Sequence, residues 1–146
     1  MNNNIAITLE LIEKQPWMEN IESFALAVLD KLEKHNWNLS LFFCNNDTIQ
    51  KLNSQYRNLD ESTDVLSFIM GETQEGRFLP GDVVISLEKV IENSGRFGVS
   101  PGEELRRLLI HGILHLSGMD HTSNGENEEM LILQDKLLRE LGGGEP

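Results

Sequence analysis

His111-Gly-Ile-Leu-His-Leu-Ser-Gly-Met-Asp-His121 is the stretch on which the reading of this chain turns. Three of the four histidines fall inside it. His111 and His115 stand one helical turn apart, so on a helix both imidazoles project from the same face. Gly118 predicts the end of that helix, because a residue without Cβ accepts left-handed backbone angles. The turn would swing His121 back toward the first pair. Three neutral imidazoles then take three corners of a tetrahedron and leave the fourth for water or substrate. That is the arrangement of a catalytic zinc site and not of a closed structural one. Three imidazoles also accept nickel, iron or copper.

The spacing matches the extended zinc-peptidase signature His-Glu-x2-His-x2-Gly-x2-His, with one decisive difference. Peptidases of that type carry a glutamate after the first histidine as general base. Here the position is Gly112, which has no proton acceptor. Asp120, beside His121, is the carboxylate to consider. It fits an orienting contact to an imidazole, a base, or a third ligand in place of His121, and equally a loop aspartate bonding nearby backbone N–H groups.

Working outward, Ser100-Pro101-Gly102-Glu103 is a helix start, with a cap serine, a proline in the first turn and an acid behind it. The helix it opens runs from Glu103 to about Ser117 and carries His111 and His115. A last helix is expected from about Glu126 to Leu141. Upstream, Ile5 to Leu11 reads as a first strand. Ile21, Phe24, Ala25, Val28, Leu29 and Leu32 recur at helical spacing within Met18 to His35. Leu39 to Cys44 is a short apolar strand, and Asp47 is placed to cap a helix running to Tyr56 or Arg57. Thr63 to Phe68 alternates as a half-buried strand, Gly71 to Gly81 reads as a polar loop, and Asp82 to Leu87 is a β-branched strand able to close a hairpin. A helix from Glu88 ends near Gly95. The fold class is therefore α+β, a small sheet of about four strands covered by helices. The metal site lies on a helix and the following loop, as in zincins.

The chain has 146 residues and a net charge of −12. That length suits one domain, residues 1–141, followed by a flexible tail at 142–146. The acidic balance argues against a long electrostatic grip on nucleic acid, so any RNA contact needs a local basic patch, a metal ion or a partner. The one cysteine, Cys44, follows Leu41-Phe42-Phe43 and reads as a small buried residue. No apolar run approaches a membrane span and the N-terminus lacks a secretory pattern, so a cytoplasmic location is expected. Arg106 and Arg107 lie on the histidine helix and are available to RNA phosphates. Phe97 and Trp37 are capable of stacking on bases, although burial is the better expectation for both.

The histidine stretch closely resembles the signature of the YbeY family of bacterial rRNA maturation factors. Asn53 to Arg57, Thr63-Asp-Val-Leu-Ser-Phe68 and Gly81-Asp-Val-Val-Ile-Ser86 fit the same pattern in order. The resemblance implies a zinc-dependent endoribonuclease specific for single strands, acting in 16S rRNA 3′-end maturation and ribosome quality control. Its partners would be single-stranded rRNA and ribosomal particles or ribosomal proteins, with no membrane and no DNA. It places the ligands of one zinc ion on His111, His115 and His121 and a functionally important arginine on Arg57. Arg57 offers a planar fork for phosphate oxygens. Read from its own alternation, Thr63 to Phe68 is either an ordinary core strand or one bordering a substrate cleft, with Asp64 and Ser67 as the members expected to face that cleft. Ile69-Met70 replaces a common proline, and Gln134 stands where glutamate is frequent; neither is expected to touch the metal ligands. Two other readings fit the sequence. One is a ribosome assembly factor whose metal is mainly structural. The other is a metallopeptidase-like hydrolase, which Gly112 disfavours.

Overall fold

Leu39, Leu41 and Phe43 are fully shielded on one side of a strand, while Phe42 and Cys44 face the opposite layer. This alternation is what a sheet covered on both faces requires. The computed structural model describes residues 2–118 and 124–142. Its strands are β1 (Asn4–Leu9), β2 (Asn38–Cys44), β3 (Val65–Gln74) and β4 (Arg77–Ser86), in the spatial order β1-β2-β4-β3. β1 and β4 both run parallel to β2, and β3 lies antiparallel to β4 at the edge. The helices are α1 (Ile21–Lys31), α2 (Asn46–Arg57), α3 (Leu87–Phe97), α4 (Pro101–Leu116) and α5 (Asn124–Leu137).

The larger core joins Leu39, Leu41, Phe43, Val83 and Ile85 of the sheet to α1, α3, α4 and α5. On the other face Cys44, Leu66 and Val84 pack against Ile49 and Leu52 of α2. The α+β class and the four-stranded sheet agree with expectation.

Several boundaries differ, each for a local reason. The first strand stops at Leu9, and Leu11 takes a left-handed φ of 61°. The helix expected from Met18 to His35 is a 3-10 turn at Pro16–Met18 followed by α1. Glu33 and Asn36, with φ of 58° and 62°, end it, so His35 lies beyond the helix and is exposed. Asn45, not Asp47, caps α2: its Oδ1 accepts the Thr48 N–H at 2.8 Å, and Asp47 sits inside the first turn. The loop expected over Gly71 to Gly81 is mostly strand. β3 continues past a bulge between Ile69 and Glu72 and turns at Glu75-Gly76, both with positive φ, into β4. A two-residue turn of that kind suits the strand twist. The bulge accommodates the glycine that had suggested a loop. α3 extends to Phe97, where Gly98 supplies the left-handed cap at φ 70°. α5 passes into a π-helical turn, Leu138–Gly142, so Gly142 belongs to a helical turn. Residues 143–146 of the expected tail lie outside the described residues.

Candidate metal centre

α4 begins as expected. Ser100 Oγ accepts the Glu103 N–H at 3.1 Å, Pro101 occupies the first turn, and Glu103 and Glu104 face the positive end of the helix dipole. Leu105, Leu108, Leu109, Ile113 and Leu114 bury the helix against its neighbours. That packing fixes its rotation and leaves His111 and His115 half-buried on the remaining face, with ring centroids 4.9 Å apart and planes inclined at 67°. Gly118, with φ of 106°, ends the segment, its N–H bonded to the His115 carbonyl at 3.1 Å. His121 and Asp120, the remaining expected ligand and the carboxylate beside it, lie outside the described residues.

Gly112 is where the helix meets the sheet. A Cβ added there would stand 2.5 Å from Val83 Cγ1 and 3.4 Å from Ser67 Oγ. The Ser67 hydroxyl donates to the Gly112 carbonyl at 3.1 Å. A glutamate at this position would collide with β4, so the peptidase base has no room here. Ser67 is thus turned toward α4, the helix that carries the histidines.

His111 has a further neighbour. Gln134 of α5 is 2% exposed, and its Oε1 lies 2.8 Å from His111 Nδ1. The expectation that Gln134 stays clear of the metal ligands is thus incorrect. The packing of α5 on α4 brings it there from 23 positions along the chain, beyond the reach of any local pattern. With the amide oxygen as acceptor, this geometry suits a proton on Nδ1 and the imidazole lone pair on Nε2. Imidazoles on one helical face, one of them hydrogen-bonded through Nδ1, fit a borderline-soft divalent cation such as zinc.

One turn before His111, Arg107 donates to Glu104 through two nitrogens: Nη2 to Oε2 at 2.6 Å and Nε to Oε1 at 2.9 Å. Glu104 is 1% exposed and also accepts from Asn93 Nδ2 at 3.0 Å; the same amide nitrogen reaches Asp64 Oδ2 at 3.2 Å. The hydrogen bonds that Arg107 donates to Glu104 hold its guanidinium above its ordinary pKa against the cost of burial, with further help from the charges of Glu104, Asp64 and Asp135. The Glu-x-x-Arg spacing at 104–107 was a legible signal of this pair; its burial was not. Asp64 thus joins this network through Asn93.

Phe97 is 53% exposed, contrary to expectation, and the Arg107 guanidinium carbon lies 5.8 Å from its ring centre. The cause is position: Phe97 is the last residue of α3, just ahead of the Gly98 cap. Trp37 is buried as expected, packed on Phe78. Arg106 lies over the ring of Phe24 at 6.0 Å on the same face as α1. Arg57, at the end of α2, is exposed and makes no hydrogen bond or ion pair with a described residue. α2 packs through Ile49 and Leu52 on the sheet face opposite α4. The two faces meet at β3, where Phe68 touches Tyr56 at 5.5 Å between ring centres and Ser67 bonds to α4.

Comparison with known proteins gives a consistent picture. The family model described as Endoribonuclease YbeY matches residues 3–142. A relative from Treponema denticola named Endoribonuclease YbeY is 50% identical over 81% of this chain and 79% of its own length. One of the same name from Treponema pallidum is 45% identical over 93% of this chain and 88% of its own. Another, from Borrelia turicatae, is 47% identical over 85% and 91%. The solution structure of TM1509 from Thermotoga maritima superposes with a TM-score of 0.69 at 31% identity, covering 95% of this chain and 89% of that one. Among the described residues no helix is long and apolar enough to cross a membrane.

Proposed function

Because the chain belongs to the YbeY family of endoribonucleases, we propose that it cleaves single-stranded RNA with one zinc ion held by His111, His115 and His121. The observation that supports this most directly is the imidazole pair on one face of α4, with His111 bonded through Nδ1 to an acceptor. When bound, the cation supplies a Lewis acid that activates water and polarises phosphoryl oxygen.

The chain's own residues would do the rest. His111 and His115 remain neutral ligands, so the charge of the cation is kept for the phosphodiester. Arg57, exposed at the end of α2, is a guanidinium fork suited to phosphate oxygens, while Arg107 is held by Glu104. An RNA strand lying across the β3 edge, where Tyr56 of α2 meets Phe68 and Ser67 bonds to α4, is proposed to contact both Arg57 and the histidines. Asp120 is the carboxylate beside the third ligand and is proposed to orient it or to serve as base. The substrate is proposed to be rRNA, in 16S 3′-end maturation and ribosome quality control in the cytoplasm, with ribosomal particles or proteins as partners. A net charge of −12 agrees with a nuclease guided by such partners rather than by long-range attraction to RNA.

The experiment is metal analysis of the purified protein beside a cleavage assay on single-stranded RNA, wild type against His115→Ala. Wild type should hold close to one zinc per chain and cut the RNA. His115→Ala should lose both while remaining folded. RNase activity that survives the substitution would identify a contaminant and remove the nuclease mechanism.

A further inference from the structure

Gln134 stands out among the buried polar groups because its partner is a candidate ligand. The side chain is 2% exposed, projects from α5, and places Oε1 2.8 Å from His111 Nδ1. Leaving a buried amide oxygen unsatisfied costs free energy on the order of 1–3 kcal/mol, so the contact with His111 matters to the packing of α5. Here the bond does more than satisfy the amide. A neutral imidazole has one N–H and one lone pair, and the atom bearing the lone pair is the one able to ligate a cation.

We propose that Gln134 is a positioning residue that holds His111 in its Nδ1–H tautomer and ring orientation, so that Nε2 presents its lone pair to the metal. The inference rests on the metal reading above. It adds a residue on a different helix, and thereby makes the docking of α5 on α4 part of the metal site. It also explains the use of an amide. A carboxylate at this position would accept the same proton but add a negative charge beside the ligand, strengthening the imidazole as a donor while lowering the positive charge felt by a phosphate. Gln134 keeps the orientation without that charge.

The test uses full-length protein stripped of metal and titrated with zinc in competition with a chromophoric chelator, and with cobalt(II) followed by its visible spectrum. Gln134→Leu, close in size and unable to accept a hydrogen bond, should weaken zinc binding by about 10–100-fold. Gln134→Glu, an acceptor only, should bind zinc at least as tightly as wild type. Melting of the metal-free proteins separates this effect from misfolding. Nitrogen chemical shifts of His111 in the unmutated, metal-free protein, in mildly alkaline buffer, should show the proton on Nδ1, and this holds whether or not a variant folds.

Equal zinc affinity in Gln134→Leu and wild type would overturn the proposal. So would a Gln134→Glu variant as weak as Gln134→Leu, because the amide would then be donating through its nitrogen. A proton found on Nε2 would do the same. Wild-type protein that binds neither zinc nor cobalt would instead remove the metal reading itself, and the role of Gln134 with it.

Discussion

Gly112 shows how one residue can exclude a chemistry and shape a fold together. Its missing side chain lets α4 approach β4 so closely that Val83 Cγ1 would lie 2.5 Å from any Cβ. Gly112→Ala should therefore destabilise the protein by about 1–3 kcal/mol, read as a lower urea midpoint with an unchanged slope. The sequence revealed only that no base stands there; the contact with Val83 explains why none fits. Cys44 carries a second prediction. Burial, reinforced by the charges of Glu10 and Glu88, pushes its thiol up to about 12 from an ordinary 9.0. Above about pH 9 the unfolded chain loses this proton while the folded chain keeps it, so stability falls as pH rises through that window toward 12, by at most about 1.4 kcal/mol per pH unit. Below that window the thiol is neutral in both states and contributes no slope. Denaturant unfolding of wild type and Cys44→Ala across the alkaline range should give a flatter dependence for the variant. Parallel curves would show that the folded thiol ionises normally.

Among the elements, α4 was the most legible, because its signals are local. Ser100, Pro101 and the repeat of leucines mark its start and its buried faces within a few turns. The β3–β4 hairpin was the least legible. Gly71, Gly76, Pro80 and Gly81 look like loop residues in isolation, yet a bulge, a left-handed turn and a close backbone approach place them within or between strands. Only pairing with the neighbouring strand decides which use a glycine serves. The Asn93–Glu104–Arg107 network belongs to this scale too, since it ties α3 to α4 ahead of the histidines. Arg107→Met leaves the Glu104 carboxylate buried with one fewer partner and should cost about 2–3 kcal/mol in denaturant unfolding. Adding Glu104→Gln to that variant should recover part of the loss. Equal destabilisation in the single and double variants would show that the charge pair is unimportant to the docking of α3 on α4.

At the scale of the whole molecule, the proposed cation couples stability to function. Zinc that binds the folded chain alone stabilises it by mass action, about 2.7 kcal/mol at a hundredfold excess over Kd. Calorimetric melting should accordingly move upward with zinc and return on adding a chelator. An unchanged melting temperature in wild type would count against a zinc site built into the fold. By itself the sequence determined the α+β class, the histidine pair on a single helix, the absence of a peptidase base and the family likeness. Each of these is written in spacings of a few residues, which backbone geometry converts directly into a face or a turn. Tertiary structure alone decided that Gln134 reaches His111, that Glu104 is sealed between Asn93 and Arg107, and that α2 covers the sheet face opposite α4. Those facts depend on how separate elements pack. Packing is set by the summed burial of many side chains, and no short stretch of the chain contains it.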